Sequence, residues 1–218
     1  TLGLTGCGKK TADEYTTTIQ KFIAEKNPQS AVIELKSAIQ EYPSDQSFRQ
    51  QLGLLALQYG DMSSAEKELK KAIELGADKN QLSVQLFRAM YNNRNLKDVA
   101  NLYLDDPAIT DDTQLYLSVF RIMADIASDN TESLRIKLDK LVGAENHADL
   151  MAFGQAQLQI LGGNPQEALD AVSKVTTESP IYPEALYLKA RLQHGLSDFK
   201  GALVSFNEAE KLLPNNFV

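Results

Sequence analysis

Side chains that could carry out chemistry are few in this sequence. The chain of 218 residues has one cysteine, Cys7, and two histidines, His147 and His194. Two histidines cannot complete a metal site of three or four ligands, and no cysteine pair or His-Glu-x-x-His spacing is present. The sequence also shows no arrangement of nucleophile, base and oxyanion donors. We therefore expect a non-enzymatic protein with no catalytic residues, no metal and no cofactor.

The N-terminus partly matches a phosphate-binding loop. Gly3, Gly8 and Lys9 fit most of the Gly-x-x-x-x-Gly-Lys-Ser/Thr pattern, in which a hydroxyl after the lysine binds magnesium. Here Lys10 stands at the hydroxyl position, and no strand pattern precedes Gly3. A short motif without its structural context is mostly coincidence, so the phosphate-loop interpretation is disfavoured.

The segment from Leu4 to Cys7 looks instead like a bacterial lipobox. An apolar residue and two small residues precede the cysteine, which would receive diacylglycerol and become the mature N-terminus. The alternative is an ordinary lone thiol. We interpret residues 1–11 as the tail of a signal peptide, the lipobox and a short tether, with the lipid on Cys7. Two or three acyl chains anchor a protein stably, and Gly8 after the cysteine favours the outer membrane by resemblance.

Composition excludes several other classes of protein. There are 22 Lys and Arg against 29 Asp and Glu, which gives a net charge of −7 and no basic block. Nucleic-acid binding is therefore not expected. A single cysteine rules out a disulfide framework within the chain. No stretch reaches the roughly 20 apolar residues of a membrane-spanning helix, so any membrane attachment is of another kind.

A repeat of 34 residues organises the elements that position these side chains. The segment from Ala31 to Ala38 has the pattern of the segment from Ala65 to Ala72, one repeat later. The same pattern returns at 168–175 and 202–209. Two degenerate units fit between them, so the chain accommodates six units.

Each unit has the sequence pattern of two helices. In the second unit, apolar residues recur at three- and four-residue spacing on either side of the turn Gly60-Asp61. Prolines such as Pro43 and Pro180 then end the second helix, because proline lacks an amide donor. Buried alanines such as Ala65 are expected where two helices cross closely. The pattern predicts an all-α protein.

The 34-residue period, the small residue Gly53 in a first helix and the turn Gly60-Asp61 together resemble the tetratricopeptide repeat. The residues that carry the resemblance are Gly53, Gly60, Asp61, Ala65, Ala72, Pro43 and Pro214. The resemblance implies a right-handed α-solenoid of about six helix-turn-helix units. We assign residues 12–218 to this solenoid and expect it to continue beyond residue 218.

The resemblance also implies a concave groove lined mainly by the first helix of each unit. Tyrosine and arginine often anchor interfaces, and aromatic rings can also stack on sugars. The candidate groove residues in that frame are Gln50, Gln81, Arg88, Tyr91, Tyr116, Phe153, Gln157, Tyr187, Arg191 and His194. For each of them, ordinary packing or solvation is the alternative; His194 near a helix end is explained by the helix dipole alone.

Charges alternate in sign at helical spacing between Glu66 and Lys71. We expect this segment to be a solvated face with weak ion pairs.

In the first three units, the sequences of segments 31–40, 52–57 and 65–78 are similar to those of long tetratricopeptide lipoproteins found with PEP-CTERM/exosortase exopolysaccharide systems. That resemblance implies a periplasm-facing, lipid-anchored scaffold for protein–protein interaction, supporting exopolysaccharide assembly or export, or PEP-CTERM protein sorting. Its partners would be envelope proteins or peptides, including polysaccharide export components. Two alternatives stay open: a lipoprotein for outer-membrane protein or pilus assembly, and the docking region of a larger enzyme. The sequence does not distinguish a peptide from a glycan ligand.

Overall fold

The computed structural model describes residues 9–130 and 133–214, and within them it contains twelve α-helices and no strand. The helices are α1 (Ala12–Ala24), α2 (Pro28–Glu41), α3 (Gln46–Gln58), α4 (Met62–Glu74), α5 (Lys79–Asn92), α6 (Leu96–Asn101), α7 (Asp111–Ala127), α8 (Leu134–Val142), α9 (Ala148–Leu161), α10 (Pro165–Val172), α11 (Tyr182–Gly195) and α12 (Phe199–Leu212). They form six consecutive pairs, each a helix-turn-helix unit. The prediction of an all-α solenoid of about six units is confirmed.

One backbone feature marks the turn inside every unit. The residue after the C-cap of each first helix has a positive φ, which is a common way to end a helix. These residues are Lys26, Gly60, Arg94, Asp129, Gly163 and Ser197. Their numbers rise in steps of 34, except for one step of 35 between Arg94 and Asp129. The two units that are degenerate in sequence therefore keep the turn of the other four.

Side-chain caps then start several of the second helices. Asn27 accepts a hydrogen bond from the Ser30 amide at 3.2 Å, and Pro28 follows it at the first helical position. Asp61 accepts one from the Ser64 amide at 3.0 Å. Such caps satisfy amide groups that have no partner within the helix, so the chain of these units turns sharply and starts the second helix at once.

Small residues let the two helices of a unit approach closely. Ala31, Ala65 and Ala168 are fully buried at the crossings. At Gly53 a Cβ atom would lie 2.8 Å from Leu69 Cγ, so the crossing of α3 and α4 has no room for a methyl group. The alanine and glycine positions are thus packing positions, and they set the helix spacing on which the groove depends.

The charged segment from Glu66 to Lys71 is more buried than we expected. Glu66 and Glu68 are only 8% and 6% exposed, so the prediction of a solvated face is wrong for both. Arg49 on α3 donates to Glu68 at 2.7 Å across the crossing of α3 and α4.

Glu66 is buried by contacts with the following unit. Its carboxylate accepts hydrogen bonds from Lys70, Asn93 and Asn95 at 2.7, 2.8 and 2.9 Å. Burial alone would raise the pKa of Glu66, but these three donors outweigh it and the pKa is lowered. The charged segment therefore joins units two and three.

Residues 9–11, which the sequence places in the tether, are held against the first unit. Thr11 caps α1 and forms a capping box with Glu14. The Tyr42 hydroxyl donates to the Lys10 carbonyl at 2.8 Å, and the Lys10 ammonium pairs with Glu34. Cys7 lies outside the described residues. Within the described part of the chain, no helix combines the length and apolarity needed to cross a membrane.

Candidate functional site

The first helices of units three to six surround a cavity of about 590 Å³ on the concave side of the solenoid. The lining residues come from α5, α7, α9 and α11 and from the turn after α5. Each of these helices packs against neighbouring second helices, α5 also packs directly against α7, and the remaining faces line the cavity. We refer to this space as the central cavity.

Exposure changes along the helices that line the central cavity. Near the middle of α9 and α11, Phe153, Gln157 and Leu188 are 1%, 7% and 8% exposed. Towards the C-terminal ends of the same helices, Ile160 and Arg191 are exposed. The central cavity therefore has a deep wall that is partly apolar and a mouth at the C-terminal ends of the first helices.

A buried ion pair lies at the deep end of the central cavity. The Arg88 guanidinium on α5 donates to both carboxylate oxygens of Glu184 on α11, at 2.6 and 2.9 Å, although 96 residues separate the two in the chain. It also donates to the Pro180 carbonyl at 2.5 Å, and it lies over the Phe120 ring, 5.9 Å from its centre. The side chains of Arg88 and Glu184 are 8% and 2% exposed. This pair joins unit three directly to unit six.

Two tyrosines and two arginines follow the ion pair towards the mouth. Tyr91 comes one turn after Arg88 on α5, and Arg94 lies in the turn that follows α5. Tyr187 and Arg191 come one and two turns after Glu184 on α11. All four line the central cavity. Burial raises the pKa of the Tyr91 hydroxyl, and the positive charges of Arg94 and Arg191 act in the opposite direction.

The charges at the mouth are not balanced. Neither Arg94 nor Arg191 forms an ion pair with any residue in the described ranges. The single carboxylate in the lining, Glu184, is neutralised by Arg88. The mouth therefore carries two uncompensated positive charges in a chain whose net charge is −7.

Five of the ten residues that the sequence proposed for the groove line the central cavity. They are Tyr91, Phe153, Gln157, Tyr187 and Arg191. Arg88 lies beside them, but its guanidinium is occupied by Glu184 and Pro180 and is not open to a ligand. The structure therefore places Arg88 beside the cavity, where its contacts support the wall.

The other four candidates lie outside the lining of the central cavity. Gln50 is half-buried on α3 and Gln81 is exposed in the first turn of α5. The Tyr116 hydroxyl donates to Asp149 at 3.2 Å, and burial together with that carboxylate raises its pKa to about 12. His194 is exposed in the last turn of α11.

Sequence reasoning missed other residues of the lining, among them Arg94, Glu184 and Ile126. A signal existed for Glu184, which lies three residues before Tyr187 and shares a face of α11 with it. Arg94 lies in the turn after α5, where helical spacing no longer applies. Within the described ranges, no group of three or more His, Cys, Asp or Glu is placed to hold a metal ion.

Comparison with known proteins gives the fold. No family model matches the sequence, and no curated protein matches it. Among solved structures, the chain is similar to a tetratricopeptide repeat protein from Parabacteroides merdae, with a TM-score of 0.63 and 14% identity over 93% of this chain and 80% of that one.

Two further solved structures are similar to this chain. PilF from Pseudomonas aeruginosa has a TM-score of 0.54 and 15% identity, covering 93% of this chain and 91% of that one. PilW, a widely conserved type IV pilus biogenesis factor, has a TM-score of 0.52 and 10% identity, covering 93% and 94%. The match extends over nearly the whole of each chain, and the protein has the tetratricopeptide-repeat fold.

Proposed function

We propose that this protein is a non-enzymatic scaffold that binds a partner protein in its central cavity. The observation that carries the proposal is the pair of uncompensated arginines, Arg94 and Arg191, at the mouth of a partly apolar cavity in an acidic chain. Large aromatic and arginine side chains at a concave surface are typical of the centres of interfaces. Cavities of this volume are in the range of specific binding sites.

The lining favours a partner segment that combines a carboxylate with an apolar side chain. Arg94 and Arg191 would bind the carboxylate through charge-assisted hydrogen bonds. Ile126, Phe153 and Leu188 would receive the apolar side chain. An acidic glycan could satisfy the arginines, but it would leave the aliphatic part of the wall without an apolar partner. We therefore favour a peptide over a glycan.

We propose that the scaffold lies in the bacterial envelope and faces the periplasm. Lipid on Cys7 would anchor it in the outer membrane. The support for this placement is the lipobox-like segment from Leu4 to Cys7. By resemblance, the partners would belong to exopolysaccharide assembly or export, or to PEP-CTERM protein sorting. Replacement of Cys7 by serine should move the protein from the membrane to the soluble fraction of the envelope, and an unchanged membrane fraction would contradict the anchor.

A second candidate function is assembly of pili or outer-membrane proteins. Its support is the similarity in fold to PilF and PilW, which extends over more than nine-tenths of all three chains. Both candidate functions use the central cavity in the same way and differ in the partner.

Photocrosslinking in the native envelope tests the proposal. A photoreactive benzoylphenylalanine replaces Ile126 or Ile160, which are 44% and 37% exposed at the mouth of the central cavity. The control position is Ile136 on α8, which is 73% exposed and lies outside the lining. Mass spectrometry then identifies the adducts.

We expect adducts with one envelope protein from Ile126 and Ile160 and none of that protein from Ile136. Polysaccharide export or sorting proteins in the adducts would support the first function, and pilus or outer-membrane insertion proteins would support the second. Equal adducts from all three positions, or none from the mouth, would contradict binding in the central cavity.

A further inference from the structure

We propose that the buried pair Arg88–Glu184 closes the concave face into a blind cavity, so that the partner enters end-on and does not run along the groove. This inference rests on the proposed function of the central cavity. It concerns the route by which the ligand enters. An open concave groove would not restrict that route, whereas a blind cavity has a single mouth.

The ion pair is the point at which the superhelix closes on itself. Arg88 on α5 and Glu184 on α11 belong to units three and six, which are not neighbours in the chain. Two parallel hydrogen bonds fix both the distance and the orientation between the two helices. A third hydrogen bond, to the Pro180 carbonyl, ties Arg88 to the segment that leads into α11.

Burial of the ion pair shows that this end of the cavity is shut. The side chains of Arg88 and Glu184 are 8% and 2% exposed, although Glu184 also lines the cavity. A channel open at this end would expose at least one of the two charged groups to water. The Phe120 ring covers Arg88 from α7, so the first helices of units three, four and six meet here.

The depth of the cavity follows from the helix rise. Seven residues separate Glu184 from Arg191 on α11, which corresponds to about 10 Å between the closed end and the mouth. An extended chain rises about 3.3 Å per residue, so about three residues fill this depth. A ligand therefore places an apolar tip against Phe153 and Leu188 and its carboxylate about three residues behind, beside Arg94 and Arg191.

The first experiment measures whether the ion pair holds units three and six together. Spin labels are attached to cysteines that replace Lys97 on α6 and Lys200 on α12, both exposed, in the Cys7→Ser background of the full chain. We expect one narrow distance distribution. Glu184→Lys sets two cations against each other and should give a longer, broader distribution, and the swapped pair Arg88→Glu with Glu184→Lys should restore a narrow one.

The swap keeps this experiment decisive if the single variant unfolds. A swapped variant that folds, by circular dichroism, but keeps a broad distribution would overturn the role of the pair. So would a folded Glu184→Lys variant with the original narrow distribution.

The second experiment tests end-on entry with two synthetic peptides. The first is acetyl-Leu-Phe-Gly-Asp-Glu, with a fluorescent label after its last residue, and the second carries a Gly-Ser extension before the leucine. A blind cavity should bind the first at least about tenfold more tightly than the second in fluorescence anisotropy. Equal binding would overturn end-on entry. If neither peptide binds at millimolar concentration, a ligand with an apolar tip and a carboxylate about three residues behind it is ruled out. The proposed function itself fails only if the photocrosslinking experiment fails.

Discussion

A methyl group added at Gly53 should destabilise the protein, even though alanine is the better helix former. The new Cβ atom would lie 2.8 Å from Leu69 Cγ and 3.0 Å from the Leu69 backbone nitrogen. Leu69 is fully buried, so its side chain has no free space into which to move. Overpacking of this kind costs about 1 to 3 kcal/mol. Alanine recovers up to about 1 kcal/mol of helix propensity, so we expect a net loss of roughly 1 to 2 kcal/mol.

The same substitution at Gly195 is the matched control. Gly195 is the last residue of α11, and a Cβ atom there would meet no atom within 4 Å. Gly195→Ala should therefore stabilise the protein, by up to about 1 kcal/mol. Urea unfolding followed by circular dichroism measures both variants. A Gly53→Ala variant as stable as the Gly195→Ala variant would refute the close crossing of α3 and α4.

Three further predictions concern polar groups. Glu184→Ala leaves the Arg88 guanidinium buried without a counter-charge and should cost about 3 to 5 kcal/mol in urea unfolding, whereas the double variant Arg88→Met, Glu184→Leu should cost less than either single change. Glu66→Ala should cost about 1 to 3 kcal/mol, because three donors lose their acceptor, and Lys67→Ala, at an exposed neighbour, should change stability by less than about 0.5 kcal/mol. Since the folded state raises the pKa of Tyr116 from 10.0 to about 12, the free energy of unfolding should fall as pH rises through that interval, and Tyr116→Phe should flatten the slope.

The repeat could be predicted from the sequence because its packing requires particular residues. Ala31, Ala65 and Ala168 mark helix crossings where no larger side chain fits, and all three are fully buried. The turns are harder to predict. Gly60 is a residue type that favours a positive φ, but Lys26 adopts the same conformation at the equivalent position without any signal in its residue type.

The central cavity could be predicted only in part. The resemblance to the tetratricopeptide repeat implies that Tyr91 and Tyr187 lie on inner faces, and the structure brings both to the cavity. The ion pair between Arg88 and Glu184 depends on the curvature accumulated over four units, and no local pattern encodes a contact between residues 96 positions apart. Arg88 could be placed on the inner face from the sequence. For the same reason, however, the binding of its guanidinium to Glu184 could not be predicted.

Crosslinking yield in two charge-reversed backgrounds tests the central claim most directly. The photoreactive residue replaces Ile160 in the wild-type chain, in the variant Arg94→Glu with Arg191→Glu, and in a control with Arg135→Glu and Lys140→Glu on α8, where both side chains are exposed. Hydrogen bonds to charged groups contribute about 1.5 to 3 kcal/mol each. The yield of the partner adduct should therefore be at least about tenfold lower in the variant Arg94→Glu with Arg191→Glu than in the wild-type chain. The α8 control should retain the wild-type yield. An equal yield in all three backgrounds would contradict recognition of the partner by the arginines of the central cavity.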